Sequence, residues 1–296
     1  MNKFILAIIL LVASCTKTGI NEPDYSLDLM SKKPTKDTSN SDSINSQVIP
    51  WNIQRVGFAN YAGTNKVWIL DGGVDGTHLD LNINKKLSKS FIDKQPLVDA
   101  TGHGTQIAGV VGAINNNIGV VGVASGVEIV SVKILGSNWF NYLLPSIDYI
   151  SKRAKSGDVV IISWTIGGAY LDLDNAIIKA ANKGIYFCIA AGRSSLQESL
   201  ISPQRIVHKN VFTVSAFSQG DYLISNLNYG LPIRYSQPGA NIYTTDKGNS
   251  YKTVTGTSYA APHLAGLLLI NNGVLPFGGF PVNDTDGYLD TITIKK

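Results

Sequence analysis

Val67-Trp68-Ile69-Leu70-Asp71-Gly72-Gly73 sets four apolar residues in a row, then a carboxylate, then two glycines. An apolar run without polar alternation reads as a strand buried on both faces. Asp71 then falls at the strand's carboxyl end, where glycine lets the chain turn sharply. Working outward from this first run (66–70), similar runs rich in Val and Ile occur at 128–135, 159–164, 185–190 and 211–216. Between them lie helical patterns at 105–113, 143–155 and 173–182. In the last of these, Leu173, Ala176, Ile177 and Ala180 recur at spacings of three and four, which is one helical face. Strands alternating with helices predict an α/β fold in three layers, a mostly parallel central sheet with helices on both faces. In such sheets functional groups collect beyond the carboxyl ends of the strands.

Two further segments place reactive side chains at element ends. In Gly102-His103-Gly104-Thr105-Gln106-Ile107-Ala108-Gly109, His103 opens a helix among small neighbours that leave its imidazole accessible. In Gly256-Thr257-Ser258-Tyr259-Ala260-Ala261-Pro262-His263-Leu264-Ala265-Gly266, Ser258 starts a glycine- and alanine-rich helix whose first N–H groups are free. Singly, each has an ordinary explanation: Asp71 could cap a turn, Ser258 a helix, and a histidine beside glycine is commonly structural. Jointly they put an acid, an imidazole and a hydroxyl on one predicted sheet edge.

The three blocks together resemble the signature segments of the subtilisin-like (subtilase) serine peptidases, in that family's chain order Asp, His, Ser. The likeness runs from about 47 to 270. It includes Gln47-Val48-Ile49-Pro50-Trp51, Val121-Gly122-Val123-Ala124, Ser131-Val132-Lys133-Ile134-Leu135 and Gln237-Pro238-Gly239-Ala240-Asn241-Ile242. It implies the subtilisin-like version of the three-layer fold and serine endopeptidase chemistry. Ser258 is then the nucleophile, His103 the general base, and Asp71 the acid that fixes the imidazole tautomer. His78, His208 and His263 match no catalytic position and are expected at the surface or in helices.

The resemblance carries further assignments. Thr165-Ile166-Gly167-Gly168 matches the strand end that pairs with an extended polypeptide substrate; a plain glycine turn is the alternative. A structural Ca2+ is implied at Gln47, Asp80, Ile114, Asn116, Ile118 and Val120, an all-oxygen set suited to a hard cation; an Asn-rich turn without metal is the alternative. No cofactor is implied for catalysis. Two departures stand out. The family's oxyanion Asn follows Ala-Ala-Gly, whereas this chain reads Ala190-Ala191-Gly192-Arg193, so the oxyanion donors become the Ser258 N–H and whatever Arg193 supplies. Gly72 stands where a hydroxyl usually follows the acid.

The ends of the chain read differently from its middle. Lys3 and the apolar run 4–12 form an export signal too short to span a membrane, which takes about 20 residues. It ends in Val12-Ala13-Ser14-Cys15, which resembles a bacterial lipobox. The expected organisation is a lipoprotein signal peptide at 1–14, a disordered tether 15–46 from a lipidated Cys15, and a peptidase domain 47–296. The tether is polar and cannot bury enough apolar area to offset its ordering entropy. The protein is then exported, anchored by lipid to the cell envelope or surface, and monomeric. The remaining cysteine, Cys188, is expected as an inert buried thiol. With 25 Lys and Arg against 21 Asp and Glu, the net charge of +4 is small and scattered, which gives no case for nucleic acid. From about 271 the long closing helices usual in the family are missing, and a short hairpin covering the sheet is expected. Three functional readings follow: a general endopeptidase, a narrow processing peptidase, or a peptide-binding lipoprotein with a weak or inactive site.

Overall fold

The computed structural model describes residues 46–296; the signal segment 1–14, Cys15 and all of the 15–46 tether except Ser46 lie outside the described residues. In chain order the elements begin with α1 (Trp51–Val56), β1 (Ala59–Asn60), β2 (Val67–Asp71), β3 (Lys89–Ser90), α2 (His103–Gly112), β4 (Ala124–Ser125) and β5 (Ile129–Lys133). They continue with α3 (Leu143–Arg153), β6 (Val159–Ile162), α4 (Leu171–Ala181), β7 (Tyr186–Ala190), β8 (Val211–Phe217) and β9 (Ile233–Pro238). Last come β10 (Ile242–Asp246), β11 (Ser250–Val254), α5 (Thr257–Ile270), β12 (Phe277–Gly279) and β13 (Thr291–Thr293).

Nine strands form one sheet in the order β12-β13-β9-β8-β7-β6-β2-β5-β3. Every neighbouring pair is parallel except β12 with β13. The continuous apolar runs behave as their patterning requires, because successive side chains go to opposite faces. Val67, Ile69, Val159 and Ile161 enter one core, built with α2 and α5. Trp68, Leu70, Val160 and Ile162 enter the other, built with α3 and α4. Both faces are covered, so three layers form. Truncating a buried Ile or Leu in such a core costs about 2–5 kcal/mol, so each run fixes its strand's register.

Two expectations are corrected. The C-terminal hairpin does not cover the sheet; it extends its edge, with β13 pairing in parallel with β9 through Thr291–Tyr235 and Ile292–Ser236. Strands of three residues are too short to lie across a layer, but they can continue a ladder. The bidentate ion pair from Arg55 to Asp221, with the Arg55 guanidinium also donating to the Gly278 carbonyl at 3.0 Å, ties this edge to α1. His78, expected at a surface or in a helix, is buried in a loop, where its Nε2–H donates to the Ser250 carbonyl and its Nδ1 accepts the Asp80 N–H. His263 does lie in α5. Its Nδ1–H donates to the Tyr259 carbonyl at 2.7 Å, so Nε2 accepts from Asn52 Nδ2 at 2.8 Å and joins α5 to α1. Burial holds its imidazole neutral, with a pKa lowered to about 3. Cys188 is buried and its thiol is pushed well up by burial.

Candidate active site

Asp71 is the last residue of β2, His103 the first of α2, and Ser258 the second of α5. All three lie at the carboxyl edge of the central strands. Asp71 is 1% exposed. Its Oδ1 accepts the N–H of Gly72 at 2.7 Å, so a backbone donor replaces the missing hydroxyl. Its Oδ2 accepts His103 Nδ1–H at 2.9 Å. A carboxylate only accepts, so this bond fixes the proton on Nδ1 and leaves Nε2 as the free base. Burial pulls the imidazolium down, but the charge and hydrogen bond of Asp71, with the charge of Asp99 behind it, more than offset this, and His103 titrates above its ordinary value.

The loop before His103 is held by a residue the sequence reading missed. Gly102, with φ +90°, has no side chain to cap α2. Asp99 does it from three residues upstream: Oδ1 accepts the N–H of Gly102 at 2.9 Å, and Oδ2 accepts both the N–H and the hydroxyl of Thr105 at 2.8 Å. An acid shortly before a helix start is the available signal for such a cap. Glycine is needed at 104 because a Cβ there would collide with the carbonyl of Gly73, just past Asp71.

Ser258 lies in the first turn of α5, one residue before Tyr259. Pro262 lies four residues on and has no N–H for the Ser258 carbonyl. Ser163, just past β6, supplies the donor instead through its hydroxyl at 3.2 Å. Ser258 Oγ–H donates in return to the Ser163 carbonyl at 3.4 Å rather than to His103. The His103 ring packs against Tyr259, the next residue, with centroids 5.9 Å apart.

Hydrogen bonds brace the neighbouring loop up to Arg193. Gly192 N–H donates to Thr257 Oγ1 at 3.0 Å, and Asn228 braces both sides, giving to the Ala191 carbonyl and accepting from the Ser194 N–H. The Arg193 side chain is exposed, and its Nε–H donates to the Ser225 carbonyl at 3.3 Å. Along 165–168, Ile166 N–H donates to the Ser202 carbonyl, and Ser202 N–H donates to the Gly168 carbonyl. Gly168 N–H also donates back to the Ile166 carbonyl at 2.8 Å, so the chain turns here, and a Cβ on Gly167 or Gly168 would meet nothing within 4 Å.

The Subtilase family model matches residues 63–272, a span that holds the acid, the imidazole and the hydroxyl. This chain is a subtilase. It is 34% identical to subtilisin BL of Lederbergia lenta over 229 residues, which cover 74% of this chain and 82% of that protein. It is 31% identical to subtilisin E of Bacillus subtilis (strain 168) over 234 residues, 74% of this chain and 60% of that one. The crystal structure of a cold adapted subtilisin-like serine proteinase superposes with a TM-score of 0.72 at 26% identity, covering 84% of this chain and 98% of its own. The chain is therefore a subtilisin-family serine peptidase with the subtilisin-like fold.

The residues that the resemblance assigns to a Ca2+ site lie close together in this subtilase. The carbonyls of Ile114, Ile118 and Val120 converge on the Gln47 side chain, whose Nε2 donates to them at 2.8, 3.3 and 3.2 Å. Asp80 is fully buried beside them; Oδ2 accepts the Val120 N–H and the Tyr251 hydroxyl, and Oδ1 has no partner. Burial pushes this carboxyl up to about 7. Asn116 Oδ1 accepts the Ile118 N–H at 3.1 Å. Converging carbonyls beside an unpartnered buried carboxylate oxygen fit a calcium-sized ion, with the Gln47 amide turned to offer its oxygen. Among the described residues no group of three or more His, Cys, Asp or Glu could hold a metal, so binding here would rest on one carboxylate, Asp80, together with carbonyl and amide oxygens. No helix among those residues is long and apolar enough to cross a membrane.

Proposed function

We propose that this subtilase is an endopeptidase that hydrolyses peptide bonds of extended polypeptides through Asp71, His103 and Ser258. The bond from His103 Nδ1 to the buried Asp71 carboxylate carries this reading, because it leaves Nε2 unprotonated and able to take a proton. As the substrate carbonyl enters, the Ser258 hydroxyl turns from Ser163 to His103. Nε2 takes its proton while Oγ bonds to the carbonyl carbon. The imidazolium then gives that proton to the leaving amine, and water repeats the sequence on the acyl-enzyme. The substrate main chain pairs with Thr165 and Gly167, while Ile166 and Gly168 stay paired to Ser202.

A fluorophosphonate probe tests the reading, since it bonds only to a serine activated by its base. We expect it to label the wild-type protein at a rate that rises with pH. The base must be neutral and its pKa is raised, so the midpoint should lie above 6.5. No labelling of well-folded protein would instead support the peptide-binding lipoprotein, the reading favoured by Arg193 reaching Ser225.

With Arg193 so engaged, the oxyanion keeps mainly the Ser258 N–H as donor. Arg193→Asn should therefore raise kcat, by up to about 100- to 1000-fold, the cost of losing this amide in subtilisin itself. An unchanged kcat would show that Arg193 already serves. Calcium is expected to bind through Gln47, Asp80, Ile114, Asn116, Ile118 and Val120 and to brace the N-terminal segment against its loop. An ion at a thousandfold excess over its Kd adds about 4 kcal/mol, on the order of 10 °C for a domain this size. EDTA should lower the Tm accordingly, and no shift would count against the site. Export with a lipid on Cys15 completes the proposal; it rests on the 1–15 sequence.

A further inference from the structure

Tyr259 follows the proposed nucleophile, and Gln106 lies one turn along α2 from His103. Both side chains are buried, Gln106 4% and Tyr259 8% exposed. The Tyr259 hydroxyl donates to Gln106 Oε1 at 2.8 Å. Gln106 Nε2 then donates to Asp246 Oδ1 at 3.1 Å, which fixes the orientation of the amide. Asp246 ends β10, and its carboxylate lies so close to the Gly102 backbone that a Cβ on Gly102 would collide with it. The hairpin is strapped to the same turn of α2, with Thr245 Oγ1–H donating to the Thr105 carbonyl at 2.7 Å and Thr244 Oγ1–H to the Gln106 carbonyl at 2.9 Å.

A buried hydroxyl and amide cost free energy unless matched, and apolar residues would fill this space without that cost. Here both are matched, and the link spans the two elements whose approach the chemistry depends on. One end is a residue from Ser258, and the other is three from His103. The Tyr259 ring also stands edge-on to the imidazole, at 63° between planes, and limits its tilt.

We propose that Tyr259, held by Gln106 and Asp246, is a positioning residue that sets the separation of Ser258 from His103 by clamping α5 to α2. This rests on the assignment of Asp71, His103 and Ser258 above. Misplacing reacting groups by 1 Å can cost about 100-fold, so a loosened clamp should show in kcat. Tyr259→Phe keeps the ring and deletes only the hydroxyl; Gln106→Leu deletes its acceptor. For wild type, each variant and the double variant, kcat and KM on an extended peptide are measured well below each Tm, together with fluorophosphonate labelling. The expected result is a kcat about tenfold lower in each single variant with KM little changed. The double variant should be no slower than the slower single one, because both break one link. Unchanged kcat in Tyr259→Phe, or losses that multiply in the double variant, would overturn the clamp while leaving the peptidase reading intact. A folded wild type that neither cleaves nor labels would overturn both.

Discussion

Ser258→Ala is expected to lower kcat about a million-fold, the loss known for removing the nucleophile of subtilisin, while leaving the Tm essentially unchanged. The asymmetry follows from how little Ser258 Oγ contributes to the fold. Its single hydrogen bond, to the Ser163 carbonyl, is long at 3.4 Å. The bond that stabilises this turn, from the Ser163 hydroxyl to the Ser258 carbonyl, uses the main chain and survives the substitution. Losing a weak, partly exposed hydroxyl contact costs at most about 1 kcal/mol. No acyl-enzyme can form without Oγ. Turnover near the wild-type rate in Ser258→Ala would mean that another residue attacks the carbonyl.

Asp71→Asn should cost about ten thousand-fold in kcat, as the same change does in an unrelated serine protease triad. The substituted side chain can still accept the Gly72 N–H through its carbonyl oxygen. Where Oδ2 accepted from His103 Nδ1–H at 2.9 Å it now offers an amide donor, which forces the imidazole proton onto Nε2. That nitrogen can then no longer take the serine proton. Burial already opposes the imidazolium, and Asp71 is what lifts it above its ordinary value. With that charge gone, the His103 pKa followed by NMR should drop well below that of the wild type. An Asp71→Asn variant with full activity, or one whose His103 titration does not move, would break the link between the pair's geometry and its chemistry.

Most of the layered fold was legible because it depends on local patterning. The runs 159–164 and 185–190 cover the observed β6 and β7, and the apolarity of Val159–Ile162 and Tyr186–Ala190 reflects burial on both faces. The site blocks were legible because glycine must flank them: Gly104 lets α2 approach the backbone past Asp71. What escaped depends on partners distant in the chain. The Arg193 side chain is directed by the carbonyl of Ser225, 32 residues on, and nothing near 193 encodes that. His78 is drawn inward by Ser250, 172 residues away. That His103 opens α2 was legible, but the Asp99 side chain that caps this start was a local signal present and unread. The terminal hairpin's place at the sheet edge is set by pairing with β9 and by Arg55, both outside the hairpin's own sequence.

The central claim is that His103, oriented by Asp71, activates Ser258 and no other hydroxyl. Peptide mapping of the fluorophosphonate adduct by mass spectrometry tests this most directly. One adduct per chain on the peptide containing Ser258 is the expected result. An adduct on a different residue, or none on folded protein at a pH where His103 is neutral, would contradict it.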